Sequence, residues 1–185
     1  MMNIKQSHIV LDTCCILNFY ASGKFLEILE AIPAQIVVTE VVRSQELKTL
    51  QVLENEEENK GAIYFEKAIK EGLISIVDFE SEAEAETFIN YIAQMKDEGE
   101  SATFAIAFHR EWSVATDDKR AISFLKKEAP HIQIVSTLEV IKHWSEKSNI
   151  DAVTLKAALS SIRVRARYQP PRNHLLLSWW ETAMK

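Results

Sequence analysis

Cysteine is scarce in this chain. Of 185 residues only two are Cys, and they are neighbours, Cys14 and Cys15. Adjacent cysteines frame no disulfide network, so the sequence is expected to work in a reduced, cytoplasmic setting. Glycine and proline are also sparse, at four each. No G-x-G-x-x-G and no G-K-[ST] occurs, which argues against a Rossmann dinucleotide site or a P-loop. No apolar run reaches the roughly 18 residues of a membrane span. The opening run MMNIKQSHIVLD ends in an acid and does not read as a secretory signal. The histidines (8, 109, 131, 143 and 174) lack metal-ligand spacing, and no H-E-x-x-H is found.

Charge, by contrast, is plentiful and uneven. The net value is −6, yet residues 151–185 carry six basic side chains against two acidic ones. The other 150 residues carry 15 basic and 25 acidic. The two parts therefore differ in sign. An acidic excess is ordinarily a solvated surface. Its sharper reading is a set of carboxylates gathered to hold cations.

Short β-branched runs alternate with helical stretches. Strands are expected at 8–12, 36–39, 74–78, 113–116 and 132–136. Such runs suit strands buried on both faces of a parallel sheet. Helices are expected on the segment leaving the first strand and over 24–31, 40–50, 61–70, 82–95, 99–110, 118–128 and 137–146. This alternation predicts a three-layer α/β/α domain with a mostly parallel five-stranded sheet and right-handed crossovers. Residues 54–60 (ENEEENK) read as a solvated loop or helix end. We place the α/β domain at residues 1–147 and a basic, aromatic helical extension at 148–185. In the extension, 151–168 reads as a helix capped by Asp151, with apolar positions 153, 155, 158, 159 and 162 on one side. Pro170-Pro171 stops it, and 173–184 reads as a final helix whose Trp179 and Trp180 are available for packing.

Four carboxylates stand out: Asp12, Glu40, Glu100 and Asp117, with Asp118 beside the last. Three of the four follow the carboxyl end of an expected strand. In an open parallel sheet those ends face the ligand crevice where strand order reverses. Packed carboxylates repel unless a cation neutralises them, and hard divalent ions take oxygen ligands. An acid after a strand also reads as an N-cap, which applies to Asp12 and Asp117. Glu100 equally suits a helix first turn.

The ordered set resembles the PIN-domain nucleases. Asp12-Thr13 after IVL, with Ile16-Leu17-Asn18 following, is similar to their opening motif. Val38-Thr39-Glu40-Val41-Val42 resembles the second, and Asp97-Glu98-Gly99-Glu100-Ser101 before the small-residue helix Ala102–Ala107 the third. Ala115-Thr116-Asp117-Asp118-Lys119-Arg120-Ala121 resembles the fourth. The likeness covers roughly residues 6–137. It implies a nuclease that hydrolyses RNA with Mg²⁺ or Mn²⁺, in many prokaryotic members the toxin of a toxin–antitoxin pair (VapC-type), often a homodimer. The implied partners are single-stranded or structured RNA and an antitoxin protein, with no membrane. Carried over, Asp12, Glu40, Glu100 and Asp117 are the catalytic metal ligands, with Asp118 an alternate for Asp117. Asn18 would orient Asp12 or a water, and Thr13 and Ser101 offer hydroxyls at helix starts. Where many relatives carry Asp at the third acidic motif, this chain carries Glu100.

Other readings weigh less. A haloacid-dehalogenase site wants a second acid two residues after Asp12, where Cys14 stands. A response-regulator receiver pairs its acids near the first strand, not the fourth. Cys14 and Cys15 read as core residues, since a zinc site lacks partners in the sequence. Arg120, Arg163, Arg165 and Arg167 are candidate RNA contacts, with Tyr168 able to stack on a base. Solvated arginines, or a clasp of the extension on the acidic domain, are the plainer alternatives. A non-catalytic PIN-like binding or interaction module is the rival to the enzyme.

Overall fold

The computed structural model describes residues 3–44 and 60–185. Strands β1 (His8–Leu11), β2 (Gln35–Thr39), β3 (Ile74–Val77), β4 (Ser113–Ala115) and β5 (Ile134–Val135) form one sheet. Its order is β3-β2-β1-β4-β5, and every pairing is parallel. The chain builds outward from β1 through β2 and β3, then returns to lay β4 on the opposite side of β1. The reversal point therefore falls between β1 and β4, where Leu11 is in register with Ala115. That juncture is where the crevice of an open parallel sheet opens.

Helices cover both faces, as the alternation predicts. They are α1 (Thr13–Ala21), α2 (Phe25–Ala31), α3 (residues 40–44 as described), α4 (Lys60–Lys70), α5 (Glu82–Met95), α6 (Glu98–Arg110), α7 (Lys119–Glu128), α8 (Thr137–Lys147), α9 (Ala152–Arg165) and α10 (Leu177–Ala183). Side chains alternate along a strand, so β1 feeds two cores. Ile9 and Leu11 join Phe19, Ile28, Leu138 and Trp144 on one face. Val10 joins Phe104, Val114 and Leu125 on the other. Because β1, β2 and β4 are covered on both faces, their sequences are nearly continuous apolar runs.

Local chemistry sets the element ends. Gly23, at φ +73°, separates α1 from α2. Lys96 takes a left-handed φ of 61° and closes α5, and the next residue, Asp97, caps α6. Ser136 and Glu139 form a reciprocal capping box on α8. Asp151 caps α9 as expected, accepting from the N–H groups of Val153 and Thr154.

The helix over 151–168 is shorter than expected. It ends at Arg165, and Arg167 turns left-handed at φ 53° ahead of the two prolines. Ala158, Leu159 and Ile162 are buried in the first core, but Val153 is 79% exposed. Val153 sits in the first turn of α9, before the helix meets the domain. Trp180 is buried in the same core and Trp179 packs against it, so both tryptophans serve packing. The stretch 54–59 and residues 45–50 of the expected 40–50 helix lie outside the described residues. Among the described residues, no helix is long and apolar enough to cross a membrane.

Candidate active site

Asp12 is the first residue beyond β1. Its N–H bonds the carbonyl of Ala115 at 3.0 Å, extending the β1–β4 ladder by one step. Its carboxylate is almost fully buried. Oδ2 accepts the Thr116 hydroxyl at 2.8 Å and the Cys14 thiol at 3.1 Å. Burial pushes the carboxyl above its ordinary range, and the bonds from Cys14 and Thr116 pull it back only in part. Asp12 occupies the N-cap position of α1, yet its side chain makes no capping bond. The capping alternative therefore does not describe it.

Glu100 lies in the first turn of α6, where its N–H bonds the Asp97 carboxylate at 2.8 Å. Its own carboxyl is pushed up to about 8. Burial is the largest cause, followed by the negative charges of Asp12, Asp97 and Asp118, with Arg120 opposing. Acids from β1, α6 and the start of α7 thus share one electrostatic neighbourhood.

The adjacent pair Asp117-Asp118 divides its work. Asp118 caps α7 through the N–H groups of Arg120 and Ala121, each at 2.8 Å. Asp117 turns inward. Its Oδ1 accepts the Thr137 N–H at 3.1 Å and the Tyr168 hydroxyl at 3.4 Å. Its Oδ2 accepts the Asn18 amide at 3.2 Å. Burial raises this carboxyl as well, while Thr137, the His174 side chain and Asn18 lower it. Asn18 also donates to the Thr137 hydroxyl at 3.0 Å, so its amide serves Asp117 rather than Asp12.

The remaining expected residues are placed differently. Glu40 follows β2, and its carboxylate pairs with Arg43 at 3.4 Å on its own helix. Arg43 in turn reaches Glu66 at 3.0 Å. Ser101 is buried and its hydroxyl donates to the Asp97 carbonyl, while Thr13 is half-buried at the first position of α1. Thr116, Thr137 and Tyr168 hold the two aspartates, and nothing in their local spacing announces that role.

Cys14 Sγ, Cys15 Sγ and a carboxylate oxygen of Asp117 lie within 4.8 Å of one another. Among the described residues, the acids alone form no triplet that close. Both cysteines belong to the first core as expected, Cys15 fully buried and Cys14 packed against it, and the fold adds Asp117 beside them. Asp117 follows β4, more than a hundred residues away in sequence, and its own motif does not announce the two cysteines beside it.

A PIN-domain family model matches residues 8–174. The chain belongs to the PIN-domain family. None of the curated proteins compared with it matches. PIN domains are nucleases as a class, and the acids at the β1–β4 juncture lie where such chemistry would sit on this sheet.

In this PIN domain the matched region runs beyond α8 and through α9. The segment after α9 forms one wall of a cleft of about 720 Å³, lined by Asn18, Asp117, Asp118, Arg165, Arg167 and Tyr168 among others. Arg165 also sits over the Tyr20 ring, 5.6 Å from its centroid. Arg163 is exposed and is not among the lining residues. Lys119 lines this cleft too, and with Arg120 and Lys127 it also lines a smaller depression beside Glu100. Arg120 is anchored there by a 3.1 Å bond to the Met95 carbonyl. Cationic side chains therefore flank the acids.

Proposed function

We propose that this PIN domain is a ribonuclease that uses Mg²⁺ or Mn²⁺ to hydrolyse RNA phosphodiesters. One observation carries the reading: the carboxyl of Glu100 is raised to about 8 by burial and by Asp12, Asp97 and Asp118. A buried carboxyl that keeps its proton beside other negative charges is poised to ionise when a compensating cation arrives. The donors are hard oxygens, the set that Mg²⁺ and Mn²⁺ select. Asp12, Glu100 and Asp118 would hold the ion, with Asp117 behind them and Glu40 joining on release from Arg43. When bound, the ion supplies Lewis-acid polarisation of water and of the phosphoryl oxygens.

The chain's own residues do the rest. Thr116 fixes the direction of the Asp12 carboxylate. Asn18, the Thr137 N–H and Tyr168 fix that of Asp117. Glu100 gives up its proton when a cation arrives. Arg165, Arg167 and Lys119 in the cleft, and Arg120 and Lys127 beside Glu100, attract the phosphate backbone. A water attacks phosphorus in line with the leaving oxygen, and no Ser, Cys or His nucleophile takes part. Homodimerisation, and a toxin role restrained by an antitoxin protein, belong to the same proposal and are supported by the family resemblance.

The test is cleavage of a mixed-sequence single-stranded RNA with Mg²⁺, Mn²⁺ or EDTA, comparing wild type with Asp12→Asn. Cutting that needs the ion and disappears in the variant is the expected result. Ion-dependent cutting that survives in Asp12→Asn would overturn the site. No cutting, together with no ion binding by calorimetry, would favour a non-catalytic module.

A further inference from the structure

We propose that Cys14, Cys15 and Asp117 form a binding site for a thiophilic divalent cation of the Zn²⁺ or Cd²⁺ type. Its occupancy would switch the acid site off, and that consequence rests on the nuclease reading above. The cysteines are the second and third residues of α1, after Asp12 and Thr13. Consecutive helical residues point about 100° apart, so two neighbouring thiols rarely share an ion unaided. Here the end of β4 brings Asp117 up against both. Cys15 Sγ is 3.8 Å from Asp117 Oδ2, and the Asp117 N–H lies 3.3 Å from Cys14 Sγ.

The spacing suits a small tetrahedral ion. Zinc–sulfur bonds of about 2.3 Å and zinc–oxygen bonds of about 2.0 Å place neighbouring S and O ligands roughly 3.5 Å apart. The three ligand atoms already lie within 4.8 Å of each other. A water from the cleft would complete the tetrahedron, and Asp12 borders the site, its Oδ2 3.1 Å from Cys14 Sγ. Access is provided, since Cys14 and Asp117 both line the cleft of about 720 Å³, although Cys15 is fully buried. Thiolates select soft and borderline ions over Mg²⁺. Binding exchanges two thiol protons for one divalent cation, and two thiolates with the Asp117 carboxylate leave the centre at a net charge of −1. Such an ion would draw on Asp117, which backs the oxygen-ligand site, and would set a positive charge against Asp12 within that site.

The chain's two cysteines make the test specific, because any thiolate-to-metal absorption must come from this pair. Metal-free full-length protein is titrated with Cd²⁺ while the ultraviolet charge-transfer band is followed. A band that saturates at equimolar Cd²⁺ on a chain whose size is unchanged on a sizing column is expected. Cys14→Ser, Cys15→Ser and Asp117→Asn should each weaken binding by about tenfold or more, with circular dichroism confirming that each folds. No band, a band that saturates with two chains joined, or an affinity unaffected by Asp117→Asn would overturn the site. This readout does not use RNA, so it stands or falls apart from the nuclease reading. If the RNA cleavage described above is found, Zn²⁺ should suppress the Mn²⁺-dependent reaction in wild type, and the fraction suppressed should fall in Cys14→Ser. Equal suppression in both would overturn the switch.

Discussion

The Thr116 hydroxyl donates a 2.8 Å hydrogen bond to Oδ2 of Asp12, joining residues 104 positions apart at the juncture of β1 and β4. The bond fixes the direction of a carboxylate that is only 2% exposed. It does not offset the cost of burial, since the carboxyl remains raised. Function and stability therefore pull in opposite directions at this residue.

Asp12→Asn should separate them. The amide keeps the shape and still offers an oxygen to Thr116, but it carries no charge to desolvate. Ion-dependent RNA cleavage should fall by about two orders of magnitude or more, the scale of losing a group that stabilises charge in the transition state. Thermal stability in EDTA should rise, by roughly 2–4 °C for each kcal/mol gained in a chain of this size. A variant that loses both activity and melting temperature would show that Asp12 is held for packing instead.

Metal-free stability should also depend on pH with a definite sign. Glu100 titrates near 8 in the folded protein against an ordinary value of 4.5. Between those values the folded state binds more protons than the unfolded one. Stability is thus greatest below about pH 4.5 with respect to this group and declines as pH rises towards 8. Asp12 and Asp117, raised by burial, add to the decline with the same sign. Melting curves in EDTA should shift downward from pH 5 to 8. Glu100→Gln should flatten that slope, and so should saturating Mg²⁺ or Mn²⁺, because a bound cation lets the carboxylates ionise. An identical slope in Glu100→Gln would place the titration elsewhere.

Fold and site were legible to different degrees. The β-branched runs at 8–12, 36–39 and 113–116 gave the central strands, because burial on both faces makes such strands continuously apolar. The order of the acids along the chain gave the juncture, because strand ends in a parallel sheet face one way. What could not be read is which acid faces which neighbour. Asp117 and Asp118 are adjacent letters, yet one is gripped by Asn18, Thr137 and Tyr168 while the other caps α7. Tyr168 reaches Asp117 only because α9 packs on the domain and the chain turns at Arg167. Contacts of that range leave no local period or spacing.

Away from the site, Arg110 and Glu84 carry a structural load. Arg110 bonds Glu84 at 2.7 and 3.0 Å, reaches Glu80 at 3.2 Å and the Asp78 carbonyl at 2.8 Å, and lies over the Trp112 ring. The Arg110 bond holds the Glu84 carboxyl below its ordinary value. Its contribution is therefore complete above the usual glutamate range and is lost as pH falls through the lowered value. Glu84→Gln should cost about 3 kcal/mol by leaving a nearly buried guanidinium short of its partner. Denaturant unfolding at neutral pH measures this. Divalent-ion affinity should be unchanged, which makes the variant a control for losses at the acid cluster.

The arginines of the extension should not be equivalent. Arg165 and Arg167 line the cleft beside Asp117 and Asp118, whereas Arg163 is exposed outside it. In the uncleaving Asp12→Asn background, RNA affinity can be measured across a salt series by fluorescence anisotropy. Each phosphate contact on a single strand contributes about 0.7 to the log–log salt slope. Arg167→Ala should lower the slope by about that amount and weaken binding uniformly across sequences. Arg165→Ala should do the same and also cost some stability, because its guanidinium packs on Tyr20. Arg163→Ala should leave the slope as it is. If the three variants behave alike, the RNA lies along the outside of α9, and the cleft beside Asp117 is not its path.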